Sequence, residues 1–299
     1  SLLKANYWWL IPNILLILVT MYQRAFRWRS MARPIKEVAF DKLLSATAVG
    51  FMANNVLPLR LGEFVRAYSL SKQDPGISKS ASMAMIVTER LIFDMAVLIG
   101  IFGVALWTTN MPELADQRSL GALLLALSLS GYVFAVLMAK WPRQVSGVIG
   151  RGLAAFPDKV RQFAVDIIHR FADGLQFMRS PSAGVSTFAQ TVLIWIVLGL
   201  SNYFVFLAFD LDVPLEASFV TLVIVSIAIS APSTPGFVGV YHAGVILALG
   251  YYGVDSETAL ACAFIMHATQ YVGVTLYGLY HLKKGHLSLK EAEQAATSG

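Results

Sequence analysis

The sequence has little charge and almost no cysteine. Only 14% of its 299 residues are charged, whereas about a quarter are charged in an ordinary soluble domain. The single cysteine, Cys262, excludes an intrachain disulfide. The sequence also contains no Ser/His/Asp set, no metal-ligand spacing and no nucleotide-binding loop. We therefore expect no metal site, no cofactor and no catalytic set of a known hydrolase type.

Apolar residues make up 57% of the sequence, and the mean hydropathy is +0.63. This composition predicts an all-α, polytopic integral membrane protein, with a multi-pass location in a prokaryotic cytoplasmic membrane. The net charge of +5 does not indicate nucleic acid as a partner, because the basic residues flank apolar segments and form no soluble patch. That arrangement favours anionic lipid headgroups.

Several apolar segments are long enough to cross a membrane, which takes about 20 residues. These segments are 7–26, 82–107, 119–141, 185–209 and 258–281. The order of these spans assigns every second loop to the cytoplasm, and those loops contain most of the basic residues. In this assignment 20 of the 23 Lys and Arg are cytoplasmic, including Arg24 and Arg27. Only Arg90 lies within a span.

Two other apolar segments are interrupted by proline, glycine and polar residues. The first leads from Leu43 into Asn54, Asn55 and Pro58, and the second occupies about 217–250. The unbroken apolar part of the first is too short for a crossing. We therefore predict that both are re-entrant broken helices, which mark the binding site in many transporters.

The two interrupted segments align without a gap at an offset of 177 residues, so that Pro58 falls on Pro235 and Gly62 on Gly239. Three predicted spans separate them, and an odd number of crossings makes the second segment upside down relative to the first. The sequence therefore predicts an inverted repeat within one transmembrane domain. The predicted parts are the whole domain at 1–299, repeat halves at about 43–107 and 217–281, and a cytoplasmic amphipathic helix at about 157–179.

Charged residues inside the second predicted span are the first candidates for a site. Ionisable groups within a span cost about 2.5 to 3.5 kcal/mol each, so they usually pair or line a polar cavity. Arg90 and Asp94 are four residues apart and can touch on one helical face, beside Glu89. The three residues either line a substrate cavity or form an internal ion pair that holds helices together.

Polar residues in the interrupted segments complete the candidate site. The amides of Asn54 and Asn55 can bond backbone carbonyls at a broken helix end. Arg60 and Arg66 can hold a phosphate through their forked donors, or they can be cytoplasmic anchors. The candidate substrate-binding residues are Asn54, Asn55, Arg60, Glu63, Arg66, Glu89, Arg90, Asp94, Ser233, Pro235, Gly236, Gly239, His267, Gln270 and Tyr271.

The second interrupted segment is expected to meet the first. A helix that restarts after Gly236 favours an anion at its first turn, and Gly239 is expected there to allow close packing. His267 either faces the same cavity or makes a helix-to-helix hydrogen bond. Residues far apart in the chain should then be neighbours: Asn55, Arg60 and Glu63 from the first segment, and Ser233, Gly236 and His267 from the second.

Three motifs carry a family resemblance. They are Asn54-Asn55-x-x-Pro58-x-Arg60-x-Gly62-Glu63-x-x-Arg66, Glu89-Arg90-x-x-x-Asp94 and Pro235-Gly236-x-x-Gly239-Val240. Together they resemble the flippase-like family called the lysylphosphatidylglycerol synthase transmembrane region, which includes the membrane half of the bacterial multiple peptide resistance factor. Where that family commonly has an Arg-Glu pair, this sequence has Tyr241-His242. The segment from Arg24 to Arg29 resembles the family's second span, which implies a further span before it.

The resemblance implies translocation of an anionic or amphiphilic lipid between leaflets, either a phospholipid or a lipid-linked precursor. Arg60, Arg66 and Arg90 would hold the headgroup, and Glu89 and Asp94 would balance or gate it. Such a protein is a transporter and not an enzyme.

Two other functions stay open from the sequence. One is a membrane-embedded transferase that uses Glu89 or His267 as a general base on a lipid-linked substrate. The other is a non-catalytic partner of a glycosyltransferase, and a homo-oligomer is also compatible with the sequence. A transferase changes the mass of the lipid, whereas a flippase does not.

The charge asymmetry generates a prediction about topology. Lys72, Arg161 and Lys283 should face the cytoplasm, and the loops at Glu113 and Asp212 should face outside. Single cysteines at the Lys72 and Asp212 positions should therefore react with a membrane-impermeant label from opposite sides. Labelling of both positions from the same side would overturn the inverted repeat.

Overall fold

The computed structural model describes residues 5–57, 61–108, 118–154, 156–162, 165, 175–230, 235–285 and 288. This part of the chain is all-α and contains no strand. The helices are α1 (Leu10–Ala32), α2 (Phe40–Val56), α3 (Gly62–Gln73), α4 (Lys79–Thr88), α5 (Met95–Thr108), α6 (Arg118–Lys140), α7 (Pro142–Gly152), α8 (Pro181–Ala208), α9 (Leu215–Ser230), α10 (Val240–Gly250) and α11 (Ser256–Lys284). Single 3-10 turns lie at Tyr7–Trp9, Gln176–Arg179 and Pro235–Phe237.

Four helices among the described residues are long and apolar enough to cross a membrane. They are Tyr7–Ala32, Ser119–Lys140, Pro181–Ala208 and Ser256–Lys284. Each overlaps a predicted span, so the multi-pass membrane character of the chain is confirmed. The remaining predicted span, 82–107, is helical throughout, but a π-helical turn at Glu89–Asp94 joins α4 to α5. Such a turn adds one residue to the helical repeat and often occurs at functional sites.

The first interrupted segment forms a hairpin of α2 and α3. The two helices approach closely because Gly50 and Gly62 face each other's backbone: a Cβ on Gly50 would lie 2.5 Å from the Cβ of Arg66. The second interrupted segment forms a hairpin of α9 and α10, in which Gly244 packs against the backbone of Val225. Both hairpins therefore depend on glycine where their helices touch.

The two hairpins open toward opposite ends of the bundle. At the open end of α2 and α3, Asp74 accepts hydrogen bonds from Lys36 at 2.6 Å and from Lys42 at 3.3 Å. The bond from Lys36 holds the pKa of the Asp74 carboxyl below its ordinary value. Lys36 follows the last residue of α1. Before the first residue of α1, the Asn6 N–H donates to the carbonyl of Ala208 at 2.7 Å. The chain enters α9 from that second end.

The long helices enclose the hairpins. Asn13 on α1 donates to the Ser201 carbonyl and hydroxyl on α8, both at 2.9 Å. On the opposite side, α11 packs against α2, and Gly278 lies against the side chain of Met52. Helices α1 and α11 thus pack against the first hairpin, and α8 packs against the second.

Two helix bounds recur at the offset of 177 residues. This offset carries Gln73, the last residue of α3, onto Gly250, the last residue of α10. It also carries Lys79, the first residue of α4, onto Ser256, the first residue of α11. A hairpin followed by a long helical segment thus occurs twice in the chain at that spacing.

Several expectations fall on residues outside the described part. These are the candidate residues Arg60 and Ser233, the loop around Glu113, and positions 163–164 and 166–174 of the amphipathic segment. The end of that segment, Gln176–Arg179, is a 3-10 turn. Phe177 there is buried against Phe93, with ring centroids 5.8 Å apart. A short helix not anticipated from the sequence, α7, follows α6 directly.

The contact between α2 and α3 generates a second prediction. Gly50→Ala should lower the free energy of unfolding by about 1 to 3 kcal/mol, because the new methyl group overlaps the Cβ of Arg66 and the carbonyl oxygen of Gly62. Gly131→Ala on α6 is the matched control, since a Cβ there meets nothing within 4 Å. Unfolding of the detergent-solubilised protein measures both changes. An equal loss in the two variants would show that the hairpin contact is not the constraint.

Candidate functional site

A group of fully buried charges links α1, α3 and the π turn. Arg27 lies 2.7 Å from Glu89 and 2.6 Å from Asp94 through its two terminal nitrogens. Arg66 donates to both oxygens of Glu89, at 3.0 and 3.3 Å. We call these four residues the buried ion cluster.

The π turn determines the geometry of the buried ion cluster. Glu89 and Asp94 are five residues apart, and side chains at that spacing do not share a face of an α-helix. The wider π turn, with its i→i+5 register, brings the two carboxylates onto one side. A single guanidinium, that of Arg27, therefore bridges both.

Neighbouring side chains make further contacts with the buried ion cluster. On α8, Thr191 accepts a bond from Arg27 at 2.9 Å, and the Trp195 indole N–H donates to Asp94 at 3.2 Å. The guanidinium of Arg66 stacks over the Trp28 ring at 4.1 Å. Buried charges are tolerated when they are paired and hydrogen-bonded in this way.

Arg90 forms a second, less buried layer. It lies 3.2 Å from Glu63 on α3 and 3.4 Å from Asp94, so the predicted contact of Arg90 with Asp94 is present. The Asn54 amide donates to Glu63 at 3.0 Å, and its oxygen accepts from the Gly62 N–H at 2.9 Å. Asn54 therefore satisfies an orphan N–H at the start of α3, and not a carbonyl at the end of α2 as the sequence suggested. The reason is that the chain turns back within reach of its side chain.

The tips of the two hairpins meet at Asn55 and Gly236. A Cβ on Gly236 would lie 3.3 Å from the Asn55 carbonyl oxygen. The Asn55 amide donates to the Thr275 hydroxyl at 3.0 Å and to the Tyr271 carbonyl at 3.3 Å. His267 bonds the Gly236 carbonyl at 2.7 Å, so of its two expected roles it has the one of a hydrogen bond between segments. These bonds fasten both tips to α11.

Two glycines of the second tip have positive φ angles. Gly236 has φ 68° and Gly239 has φ 89°, in the region that favours glycine. A Cβ on Gly239 would meet nothing within 4 Å, so the expectation that this glycine allows close packing is wrong. The positive φ angle explains why glycine occupies position 239. The Gly239 N–H donates to His242 at 3.3 Å, so that donor at the start of α10 is already used.

A cavity of about 130 Å³ lies beside the point where the tips meet. It is lined by α1, α2, the π turn and α8 to α11. Its apolar walls include Ile17, Phe51 and Leu222. Its polar lining consists of Thr20, Arg24, Asn54, Asn55, Arg90, Asn202, Ser226, Tyr241 and Gln270. We call it the polar cavity.

The predicted site residues divide into three groups. Those that line the polar cavity are Asn54, Asn55, Arg90 and Gln270. Those that lie in the ion pairs behind it are Glu63, Arg66, Glu89 and Asp94. Those that surround or form the second tip are Pro235, Gly236, Gly239, His267 and Tyr271.

Sequence reasoning missed Arg24 and Arg27. Both were assigned to the cytoplasmic surface, yet Arg24 is only 5% exposed and Arg27 is fully buried. Local charge counting fails here because the carboxylates that meet Arg27 come from a helix 62 to 67 residues later in the chain. One signal was available: the second span contains two carboxylates but only one arginine, so another cation had to come from elsewhere.

A second cavity is larger and almost wholly apolar. Its volume is about 450 Å³, and Leu125, Phe188 and Phe219 are among its lining residues. Packed side chains of Val97, Trp195 and Leu222 separate it from the polar cavity. Its polar lining residues are Ser128 and Glu216. In the described part of the chain, no group of His, Cys, Asp and Glu could hold a metal ion.

The buried ion cluster generates a third prediction. Arg27→Met should lower the free energy of unfolding by about 3 to 5 kcal/mol, because it leaves buried carboxylates undercompensated. Arg29→Met on the same helix is the control: its side chain is 46% exposed and lies 3.8 Å from Glu37, so the loss should stay below about 1 kcal/mol. Thermal unfolding in detergent compares the two variants. Similar losses would mean that the buried ion cluster does not stabilise the bundle.

Comparison with known proteins identifies a family of membrane proteins. The family described as "Lysylphosphatidylglycerol synthase TM region" matches residues 1–278. A protein named "Glycosyltransferase AglD" from Haloferax volcanii is 26% identical over 300 residues, covering 90% of this chain and 47% of that protein. A "UPF0104 membrane protein" from Methanothermobacter thermautotrophicus is 22% identical, covering 93% of this chain and 86% of that protein.

The chain spans about half the length of the glycosyltransferase that it matches. No solved structure matches the chain. The family match, by contrast, covers nearly every residue and includes all three motifs. The chain belongs to the lysylphosphatidylglycerol synthase TM region family.

Proposed function

We propose that this protein moves an anionic or amphiphilic lipid between membrane leaflets, with the headgroup held in the polar cavity. The observation that carries the proposal is the polar cavity itself, which lies within an apolar helical bundle. Buried polar groups without function are disfavoured in a membrane, so a cavity with several of them indicates a substrate pathway. The substrate would be a phospholipid or a lipid-linked precursor.

The proposed membrane arrangement is an inverted repeat of two re-entrant hairpins. Three features support it: the hairpins open toward opposite ends, their tips meet at Asn55 and Gly236, and their helix bounds recur at one offset. Transporters built in this way hold substrate where the broken helices meet, near the midplane. Rocking of one half against the other would then expose the polar cavity to each leaflet in turn.

We assign different roles to the charged residues than the sequence suggested. Arg90, Asn55 and Gln270 line the polar cavity and would contact the headgroup. Glu89 and Asp94 would act as counterions that hold Arg27 and Arg66, and not as groups that touch substrate. The apolar cavity beside Leu125 and Phe219 would accept a hydrocarbon chain of the lipid.

A second candidate function is supported by one relative. The Haloferax volcanii protein is named a glycosyltransferase. A membrane domain of this family would then present a lipid-linked substrate to such an enzyme, in the same chain or as a partner. Transfer by this chain itself is less well supported. Glu89 is fully buried and paired with two arginines, so it is poorly available as a general base.

A transport assay tests the proposal. We expect the protein reconstituted in liposomes to move fluorescent phosphatidylglycerol across the bilayer without changing its mass. Ser226→Phe should slow this movement about tenfold, because the ring fills the polar cavity. A tenfold slower rate corresponds to an activation barrier that is higher by about 1.4 kcal/mol.

Ser130→Phe is the matched control for that assay. Both serines donate to a carbonyl of the preceding helical turn, but Ser130 is exposed on α6. It should transport at the wild-type rate. Full transport by Ser226→Phe would place the pathway elsewhere, and a change in lipid mass would favour a transferase.

A further inference from the structure

The polar cavity contains a buried cation that no other group in the described structure neutralises. Arg24 on α1 is 5% exposed and lines the polar cavity. Its Nε and Nη1 atoms have no hydrogen-bond partner. Its guanidinium stacks over the Phe51 ring at 4.6 Å, which fixes its plane but leaves those two donors unused. A buried arginine usually has a carboxylate, and among the described residues Arg24 has none within salt-bridge distance.

The surrounding charges do not balance. The arginines of this region are Arg24, Arg27, Arg66 and Arg90, and the carboxylates are Glu63, Glu89 and Asp94. All three carboxylates already bond the other arginines. The described residues of this region therefore have one excess positive charge, and that charge lies at the cavity wall.

We propose that Arg24 is the binding residue for an oxyanion of the phosphate class in the polar cavity. The inference rests on the proposed function, because it takes the headgroup site to be this cavity. A guanidinium matches phosphate oxygens with paired donors, and Arg is preferred where such an anion is recognised in a dry site. Gln270 supplies a neutral amide to the lining of the same cavity.

The charge count also predicts the net charge of the ligand. One excess positive charge is neutralised by a ligand with a net charge of −1, such as a phosphatidylglycerol headgroup. A zwitterionic headgroup leaves the excess in place. Phosphatidylglycerol should therefore bind more tightly than phosphatidylcholine.

Removal of Arg24 should have two effects of opposite sign. An uncompensated buried charge destabilises a protein, and an apolar residue of similar volume removes that penalty. Arg24→Met should therefore raise the melting temperature of the lipid-free protein. The same variant should lose the stabilisation that an anionic lipid gives by binding to the folded state. A purely structural arginine would show the reverse of the first effect.

The experiment measures melting temperature and lipid affinity of the full chain in a neutral detergent. The probes are phosphatidylglycerol, phosphatidylcholine and inorganic phosphate. Arg24→Met should bind phosphatidylglycerol at least about tenfold more weakly than wild type, a difference of about 1.4 kcal/mol. Arg24→Lys keeps the charge but loses the forked donors, so it should bind with intermediate affinity. Arg29→Met, exposed on the same helix, should bind like wild type.

Each outcome decides the proposal. Lower melting of Arg24→Met in the absence of lipid, or unchanged phosphatidylglycerol binding, would overturn it. Binding of phosphatidylglycerol alone identifies the anion as a lipid headgroup, whereas an equal effect of inorganic phosphate identifies a free anion; both support the site. If Arg24-dependent binding is present but liposomes show no lipid movement, the anion site stands and the proposed transport fails.

Discussion

The structure depends on the pairing of Arg27 with Glu89 and Asp94. Each of these groups is expensive to place in an apolar bundle alone, and together they satisfy one another at 2.6 to 2.7 Å. The pairing joins α1 to the π turn, and Arg66 extends it to α3. The position of the first hairpin is thus determined by electrostatics as much as by apolar packing. The polar cavity lies beside these paired charges.

The charged residues near the centre therefore fall into two classes. Arg27 and Arg66 have their charges fully matched by carboxylates, so they hold the bundle together. Arg24 and Arg90 face the polar cavity, and Arg24 is unmatched. The two classes look alike in the sequence, since all four are arginines next to apolar residues. Only the partners distinguish them, and the partners come from other helices.

Much of the fold could be predicted from the sequence, because apolar length and proline or glycine interruptions are local signals. The four long helices and both interrupted segments lie where hydropathy placed them. The contact of Gly236 with Asn55 on α2 followed from the expectation that the interrupted segments meet. The burial of Arg27 could not be predicted, since it depends on Asp94, 67 residues later. The π turn was also invisible, because no residue pattern marks a π-helical register.

The burial of Arg27 has a consequence for the biogenesis of the protein. When α1 first enters the membrane, Glu89 and Asp94 have not yet been synthesised. The end of α1 then contains Arg24 and Arg27 without counterions, and each costs about 2.5 to 3.5 kcal/mol in the bilayer interior. The last turns of α1 are stable in their final position only after the π turn has inserted beside them. Insertion of this chain is therefore a concerted event between helices that are distant in sequence, and a truncated chain that ends before residue 89 lacks the partner that retains α1.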